Sequence, residues 1–312
     1  MREDTPSRTA AWVAAARHLG RLLPETVRLA DDPYGAAFTS PLLARLIEQA
    51  IDDSPSLARL DTALRTLRHP LAKLPGLRTW ILYMQVRTRV IDDALRAFAA
   101  TRDRQLVVLG AGYDCRALRM PELSDTRVFE VDHPATQGHK RAVLDKRGVH
   151  SPSQYVEWDF ESRPMEDLAE TLAEAGHDPT TPTFTIWEGV TMYLTEGAID
   201  TSLRAIAEWS APGSELAMTY FAKSRLARPS FATRAIQAMV SSIGEPWRWG
   251  WIPDELPEFL HERGWELERD VSMAEAARGL LPPELAALVA DPERLVAFAA
   301  APESIAIGRR RG

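Results

Sequence analysis

Gln105-Leu-Val-Val-Leu109-Gly110-Ala111-Gly112-Tyr113-Asp114-Cys115-Arg-Ala-Leu118 is the stretch whose reading decides the fold. A short apolar run predicts a buried strand, two glycines one residue apart follow, and a helical pattern begins behind them. Glycines at such a junction let the chain turn sharply and let a ligand approach the backbone closely. An acid about 20 positions on, at the end of the next strand, strengthens the reading. Arg127–Asp132 (RVFEVD) reads as that strand, ends on Asp132 and puts Glu130 on the same face two positions earlier. A carboxylate at Asp132 would accept hydrogen bonds from both ribose hydroxyls of an adenosine ligand.

The third glycine of the dinucleotide pattern is missing; Cys115 stands in its place. Asp114 adds negative charge where a pyrophosphate would sit, or else caps the helix. A cationic adenosine ligand without phosphates suits this loop better than NAD, and S-adenosylmethionine is such a ligand. A ligand-free tight turn is the bland alternative.

Outward from the loop, Tyr155–Trp158, Phe184–Trp187 and Glu215–Tyr220 also read as strands, and 165–175, 196–209 and 254–264 as helices. Alternation of this kind predicts a parallel sheet with helices on both faces. Trp265–Val271 and Ser304–Ile307 are expected to close it as a hairpin-like edge. Segments 7–21 and 40–52 read as helical, with a turn at Asp31–Gly35 between them. The expectation is one domain over 1–312: a helical cap region (1–100), an α/β core (101–312), and a lid insertion at about 222–253 that holds Trp247, Trp249 and Trp251.

Segment 78–100 is a long helical pattern whose stripe of Trp80, Met84, Ile91, Leu95 and Phe98 marks a buried face. Arg87 falls on that stripe, and Arg89 on the polar side with Asp93 as its i+4 partner. A guanidinium on a buried face needs an anion. The free carboxylate of an amino-acid cofactor would serve, and so would a structural ion pair or snorkelling at the edge of the stripe. Glu188 and Gly189 follow the strand 184–187, where ligands of open α/β sheets bind; Glu188 could equally be a helix N-terminal acid.

Together the segments ADDPYGAAF (30–38), VRTRVIDDAL (86–95), VVLGAGYDCRALR (107–119), VFEVDHP (128–134), VEWDF (156–160), IWEGVTMYL (186–194) and GEPWRWG (244–250) give the chain a resemblance to the leucine carboxyl methyltransferase family, notably its bacterial secondary-metabolite O-methyltransferase branch. The resemblance implies a Rossmann-like methyltransferase fold and S-adenosylmethionine as cofactor. It implies that Arg87 holds the methionyl carboxylate, that Gly110 and Gly112 face the methionine, that Asp132 binds the ribose, that Asp159 and Phe160 sit at the adenine, and that Glu188 lies near the methionyl amine.

The function expected is methyl transfer to a small-molecule, natural-product acceptor, on a carboxyl or hydroxyl oxygen. Carbon methylation of an aromatic such as an indole is the alternative. From other classes, a nucleotide-binding dehydrogenase is opposed by Asp114 and Cys115, and a non-catalytic S-adenosylmethionine-binding protein stays open. A carboxylate acceptor needs no base, whereas a hydroxyl does; Tyr83, Tyr113, His133, Tyr193 and Tyr220 are the candidates, and none stands out. Tyr193, Tyr220, Trp247 and Trp249 are the candidate acceptor-side residues, the tryptophans as an aromatic lid, with core packing as the plainer reading. No metal-ligand spacing is present. A formal charge of −7, with basic residues clustered only at Arg309–Arg311, does not suit nucleic acid. No apolar run is long enough for a membrane span and the N-terminus lacks a secretory pattern. The lone cysteine makes a cytoplasmic setting the default. A homo-oligomer stays open, and the sequence does not reveal the oligomeric state.

Overall fold

The computed structural model describes residues 6–53, 62, 77–101, 103–223, 247–290 and 303–312. Most of the expected lid, 224–246, lies outside them. Strands β1 (Gln105–Leu109), β2 (Arg127–Asp132), β3 (Gln154–Glu157), β4 (Thr183–Trp187), β5 (Glu215–Phe221), β6 (Trp265–Ser272) and β7 (Glu303–Arg310) form one sheet in the order β3-β2-β1-β4-β5-β7-β6. The first five run parallel; β7 is antiparallel to both β5 and β6. The sequence pattern placed the last two runs together at the edge. In the fold β7 slips between β5 and β6, so the largely exposed β6 is the edge and β7 is buried along most of its length.

The helices are α1 (Arg8–Leu19), α2 (Pro41–Asp53), α3 (Leu77–Ala99), α4 (Arg116–Arg119), α5 (Pro134–Lys146), α6 (Leu168–Glu174), α7 (Glu196–Glu208), α8 (Leu256–His261), α9 (Met273–Leu280) and α10 (Pro283–Ala290). All five residues of β1 are buried because alternate side chains enter different cores. Leu106 and Val108 pack with α3, α9 and α10, whereas Val107 and Leu109 pack with α6, α7 and α8. This is the expected α/β, Rossmann-like arrangement with helices on both faces. The segment expected as a helix over 165–175 divides into a 3-10 turn, Met165–Asp167, and α6. Helix α5 was not singled out in the sequence; its capping is local, with Pro134 in the first turn and His133 Nδ1 accepting from the Ala135 amide at 3.2 Å.

Because β1 pairs with β2 on one side and β4 on the other, the winding of the sheet reverses beside β1. The loops leaving the carboxyl ends of β1 and β4 therefore splay apart and leave a crevice there. Helix α1 packs against α3 and the turn Gly35–Phe38 and lines that crevice with Ala10, Val13 and Arg17. Among the described residues no helix is long and apolar enough to cross a membrane.

Candidate active site

A cavity of about 660 Å³ opens at this crevice, a volume typical of small-molecule sites. The glycine loop forms one wall. Gly110 and Gly112 have φ of 62° and 51°, a region that favours glycine. A Cβ on Gly110 would stand 2.7 Å from Val190 Cγ2, and one on Gly112 would stand 2.9 Å from the Ala10 Cβ of α1. The loop thus carries no side chain where a ligand and α1 both come close. The Gly112 amide donates to Asp132 Oδ2 at 2.5 Å and the His133 amide to Oδ1 at 2.6 Å. Burial raises the Asp132 carboxyl above its ordinary pKa, and the two amides oppose that rise. Among the described residues Asp132 has no ion-pair partner, and it borders the cavity. Its neighbour Glu130 does not: it is paired with Lys140 and accepts from Ser153 Oγ at 2.9 Å.

Beneath the loop lies a buried network of charge. Arg87 Nε meets Glu188 at 2.8 Å and its Nη1 meets Glu303 at 3.2 Å. Tyr83 donates to the same Glu303 at 2.9 Å. Arg116 pairs with Asp92 at 2.8 Å, with Glu188 at 3.0 Å and with Asp114. Arg119 pairs with Asp92 at 2.6 Å, and Arg17 with Asp32 at 3.1 Å. Four guanidinium groups thus face five carboxylates, one negative charge in excess. Burial works to raise the Glu188 carboxyl, but Arg116, Arg87 and Arg17 outweigh it and hold the pKa down at about 2. Glu188 is therefore an anion at neutral pH. Asp114 is also held well below the usual carboxylate range: burial is outweighed by Arg116, with Arg17 next.

Of the residues singled out in the sequence, Arg87, Gly110, Gly112, Asp132, Asp159, Phe160, Glu188 and Tyr193 all border this one cavity. Asp159 accepts from the Glu161 amide at 3.0 Å and from Ser162 Oγ at 2.8 Å, which lower its pKa in that order. Arg89 pairs with Asp93 at 2.8 Å, as its i+4 spacing implies. Three acceptor-side candidates sit elsewhere. Tyr220 is wholly buried in β5 and donates to Asp270 at 2.7 Å. Trp247 packs edge-on against Phe221 at 4.8 Å, and Trp249 against Trp251 at 6.1 Å. The segment 247–251 is docked beside the end of β5, with the Trp251 amide donating to Phe221 O at 2.9 Å. Its indoles are consumed in packing there, and Arg248 borders the cavity in their place.

Among the candidate bases, Tyr83 lies in the Glu303 pair and Tyr220 on Asp270; burial pushes both hydroxyls well above their usual pKa. Tyr113 borders the cavity, stacks on Phe38 at 4.5 Å and hydrogen-bonds His139 Nδ1 at 2.8 Å; burial raises it too. His133 and Tyr193 also border the cavity. Sequence reasoning missed Arg17 and Glu303. Arg17 stands on a buried, alanine-rich helix face, and the argument made for Arg87 would have flagged it.

Residues 10–207 match the family model described as leucine carboxyl methyltransferase. A relative from Streptomyces coelicolor, named "Putative S-adenosyl-L-methionine-dependent methyltransferase", is 37% identical over 184 residues, 58% of this chain and 61% of that protein. A relative of the same name from Streptomyces avermitilis is 34% identical over 195 residues, 62% of this chain and 65% of that protein. A third, from Mycobacterium sp. (strain JLS), is 30% identical over 272 residues, 83% and 82% of the two chains. The alignment thus spans under two thirds of the first two relatives' length. Among solved structures, a protein of Thermobifida fusca YX described as "a putative methyltransferase" superposes with a TM-score of 0.54 at 20% identity, over 94% of this chain and 97% of that one. A DUF574 family protein from Streptomyces avermitilis gives 0.52 at 15% identity, over 95% and 97%. At these identities the likeness concerns the fold.

Proposed function

The chain belongs to the leucine carboxyl methyltransferase family, and we propose that it is an S-adenosylmethionine-dependent methyltransferase acting on oxygen of a small-molecule acceptor, with a carboxylate as the acceptor group. The observation that carries the cofactor reading is the charge of the cavity. Among the described residues its network holds one carboxylate in excess, and Asp132, without an ion-pair partner there, adds another. S-adenosylmethionine carries a sulfonium, an ammonium and one carboxylate, a single net positive charge that suits this environment. A pyrophosphate suits it badly. The glycine loop leads into a helix of only four residues, Arg116–Arg119, with the Asp114 carboxylate against it. A dinucleotide needs a longer helix whose amino end is free for phosphate.

In this reading Asp132 binds the ribose hydroxyls, Asp159 and Phe160 border the adenine, Gly110 and Gly112 leave room for the methionine chain, and Glu188 takes the methionyl ammonium. The cofactor, when bound, supplies a methyl group on sulfonium sulfur for in-line displacement. The chain's part is orientation, and near-attack positioning of this kind is worth up to ~7–11 kcal/mol. A carboxylate acceptor is favoured because the cavity's Tyr113 is pushed up, away from the range of a base at neutral pH. Exposed Arg248 at the cavity would draw in an anionic acceptor.

The test is a transfer assay with methyl-labelled S-adenosylmethionine and a panel of small carboxylic acids, phenols and indoles. Label in a base-labile ester supports the proposal. Label only in base-stable products, on carbon or ether oxygen, removes the carboxylate assignment. Cofactor binding without transfer to any acceptor class favours a non-catalytic binding protein.

A further inference from the structure

Of the three described arginines that border the cavity, Arg87 is already neutralised by Glu188 and Glu303, and Arg17 by Asp32. Arg248 is not: among the described residues no carboxylate pairs with it. It is exposed, so it stands at the mouth of the cavity. Its place is fixed by the main chain. The amides of Arg248 and Trp249 both donate to Met192 O, at 2.7 and 3.3 Å, the Trp251 amide donates to Phe221 O at 2.9 Å, and the Lys223 amide to Trp251 O at 2.7 Å. Met192 belongs to the turn Thr191–Tyr193, just past Glu188, which is pinned to β5 by Thr191 Oγ1 donating to Thr219 O at 2.6 Å. Trp247 packs on Phe221 and Trp249 on Trp251. The two side chains flanking residue 248 are thus spent in packing, and the one left bordering the cavity is a guanidinium.

Charge then distinguishes the two ends of an acceptor. Inside, Glu188 and Asp132 border the cavity and repel negative charge; at the mouth, Arg248 attracts it. In transfer to a carboxylate, the acceptor oxygen bonds to the methyl carbon as the carbon–sulfur bond breaks. That bond's electron pair goes to sulfur, the carboxylate charge is cancelled in a neutral ester, and no proton moves. A guanidinium bonded to the reacting carboxylate would grip its charge in the ground state and lose that grip in the transition state, which slows the step. Arg248 suits a group that keeps its charge throughout. We propose that the acceptor is a dicarboxylic acid: one carboxylate takes the methyl group, and Arg248 holds the other at the mouth of the cavity. This proposal rests on the carboxylate reading above and has a consequence for the product. A second transfer would have to seat the neutral ester at Arg248, so methylation stops at one end.

The probes are straight-chain α,ω-dicarboxylic acids of increasing length, each beside its monomethyl ester, in a transfer assay with methyl-labelled S-adenosylmethionine. The monoester keeps one carboxylate to react and removes the charge at the other end. Once the statistical advantage of two equivalent ends is divided out, kcat/KM at the best length should favour the diacid roughly five-fold, the range of an exposed ion pair. The preference should shrink in strong salt, and monoester should accumulate over diester. Arg248→Ala should bring the corrected ratio close to one, and Arg248→Lys should keep part of it. A ratio that survives Arg248→Ala overturns the proposal. Esters formed at every length with a corrected ratio near one in the unmodified protein remove this proposal and leave the carboxylate reading standing. No ester from any acid removes both.

Discussion

Replacing Glu188 by Gln keeps the shape of a buried side chain and removes one charge. The network then holds four guanidinium groups and four carboxylates, and the excess that favours a cation disappears. Two effects follow, with different signatures. The first is on stability. The carboxyl falls from an ordinary 4.5 to about 2 in the fold, which corresponds to about 3 kcal/mol at neutral pH. The folded value is the lower one. The contribution is therefore fully present above about pH 4.5 and is lost as pH falls through about 2. Gln still bonds the flanking arginines, so the variant should lose about 1–3 kcal/mol at neutral pH. Its melting temperature should converge on that of the wild type between about pH 5 and pH 2. The second effect is on binding. A charge-assisted bond to the ligand's ammonium is worth ~1.5–3 kcal/mol, so Kd for S-adenosylhomocysteine should rise roughly 10- to 150-fold. Affinity for 5′-methylthioadenosine, which lacks the amino acid, should not fall. Calorimetry and thermal melts at matched pH measure both. A folded Glu188→Gln protein that binds S-adenosylhomocysteine as tightly as wild type would rule out Glu188 as the ammonium's partner.

Gly112→Ala forces a side chain into φ 51° and against Ala10 at 2.9 Å; it should cost about 1–2 kcal/mol of stability and weaken S-adenosylhomocysteine several-fold, as melting and titration would register. Trp249→Ala removes an indole packed on Trp251 outside the cavity. It should lower the melting temperature while leaving cofactor and acceptor constants unchanged, and a selective loss of acceptor binding would restore the aromatic-lid idea. Arg248→Ala should raise KM for an anionic acceptor by about 1 kcal/mol, roughly five-fold, with cofactor Kd unaltered; an equal effect on a neutral acceptor would contradict its assignment.

The parts of the site that were legible in the sequence are those whose reason is local. β1 and the glycine loop announce themselves within the 14 residues 105–118, and Asp132 follows at the spacing one helix and one strand impose. Arg87 was visible because one charge interrupted an otherwise apolar stripe. Its partner Glu303 was not, because it arrives from the far end of the chain when β7 inserts beside β5. Arg17 and Asp32 are separated by 15 positions and meet only where α1 folds back on the following turn. The tryptophans are ambiguous in the sequence for a physical reason. Aromatic density says that much area is buried and does not say against what, and here the docking of 247–251 along β5 decides it. The order of the last strands is equally non-local: β7 lies inside β6 although it comes later in the chain.

A cavity with surplus negative charge should accept a cationic, phosphate-free adenosine cofactor. Titration of the purified chain with S-adenosylmethionine and, separately, with NAD decides this. Saturable one-to-one binding of S-adenosylmethionine and no detectable heat with NAD are expected. Binding of NAD in the absence of S-adenosylmethionine binding would contradict it.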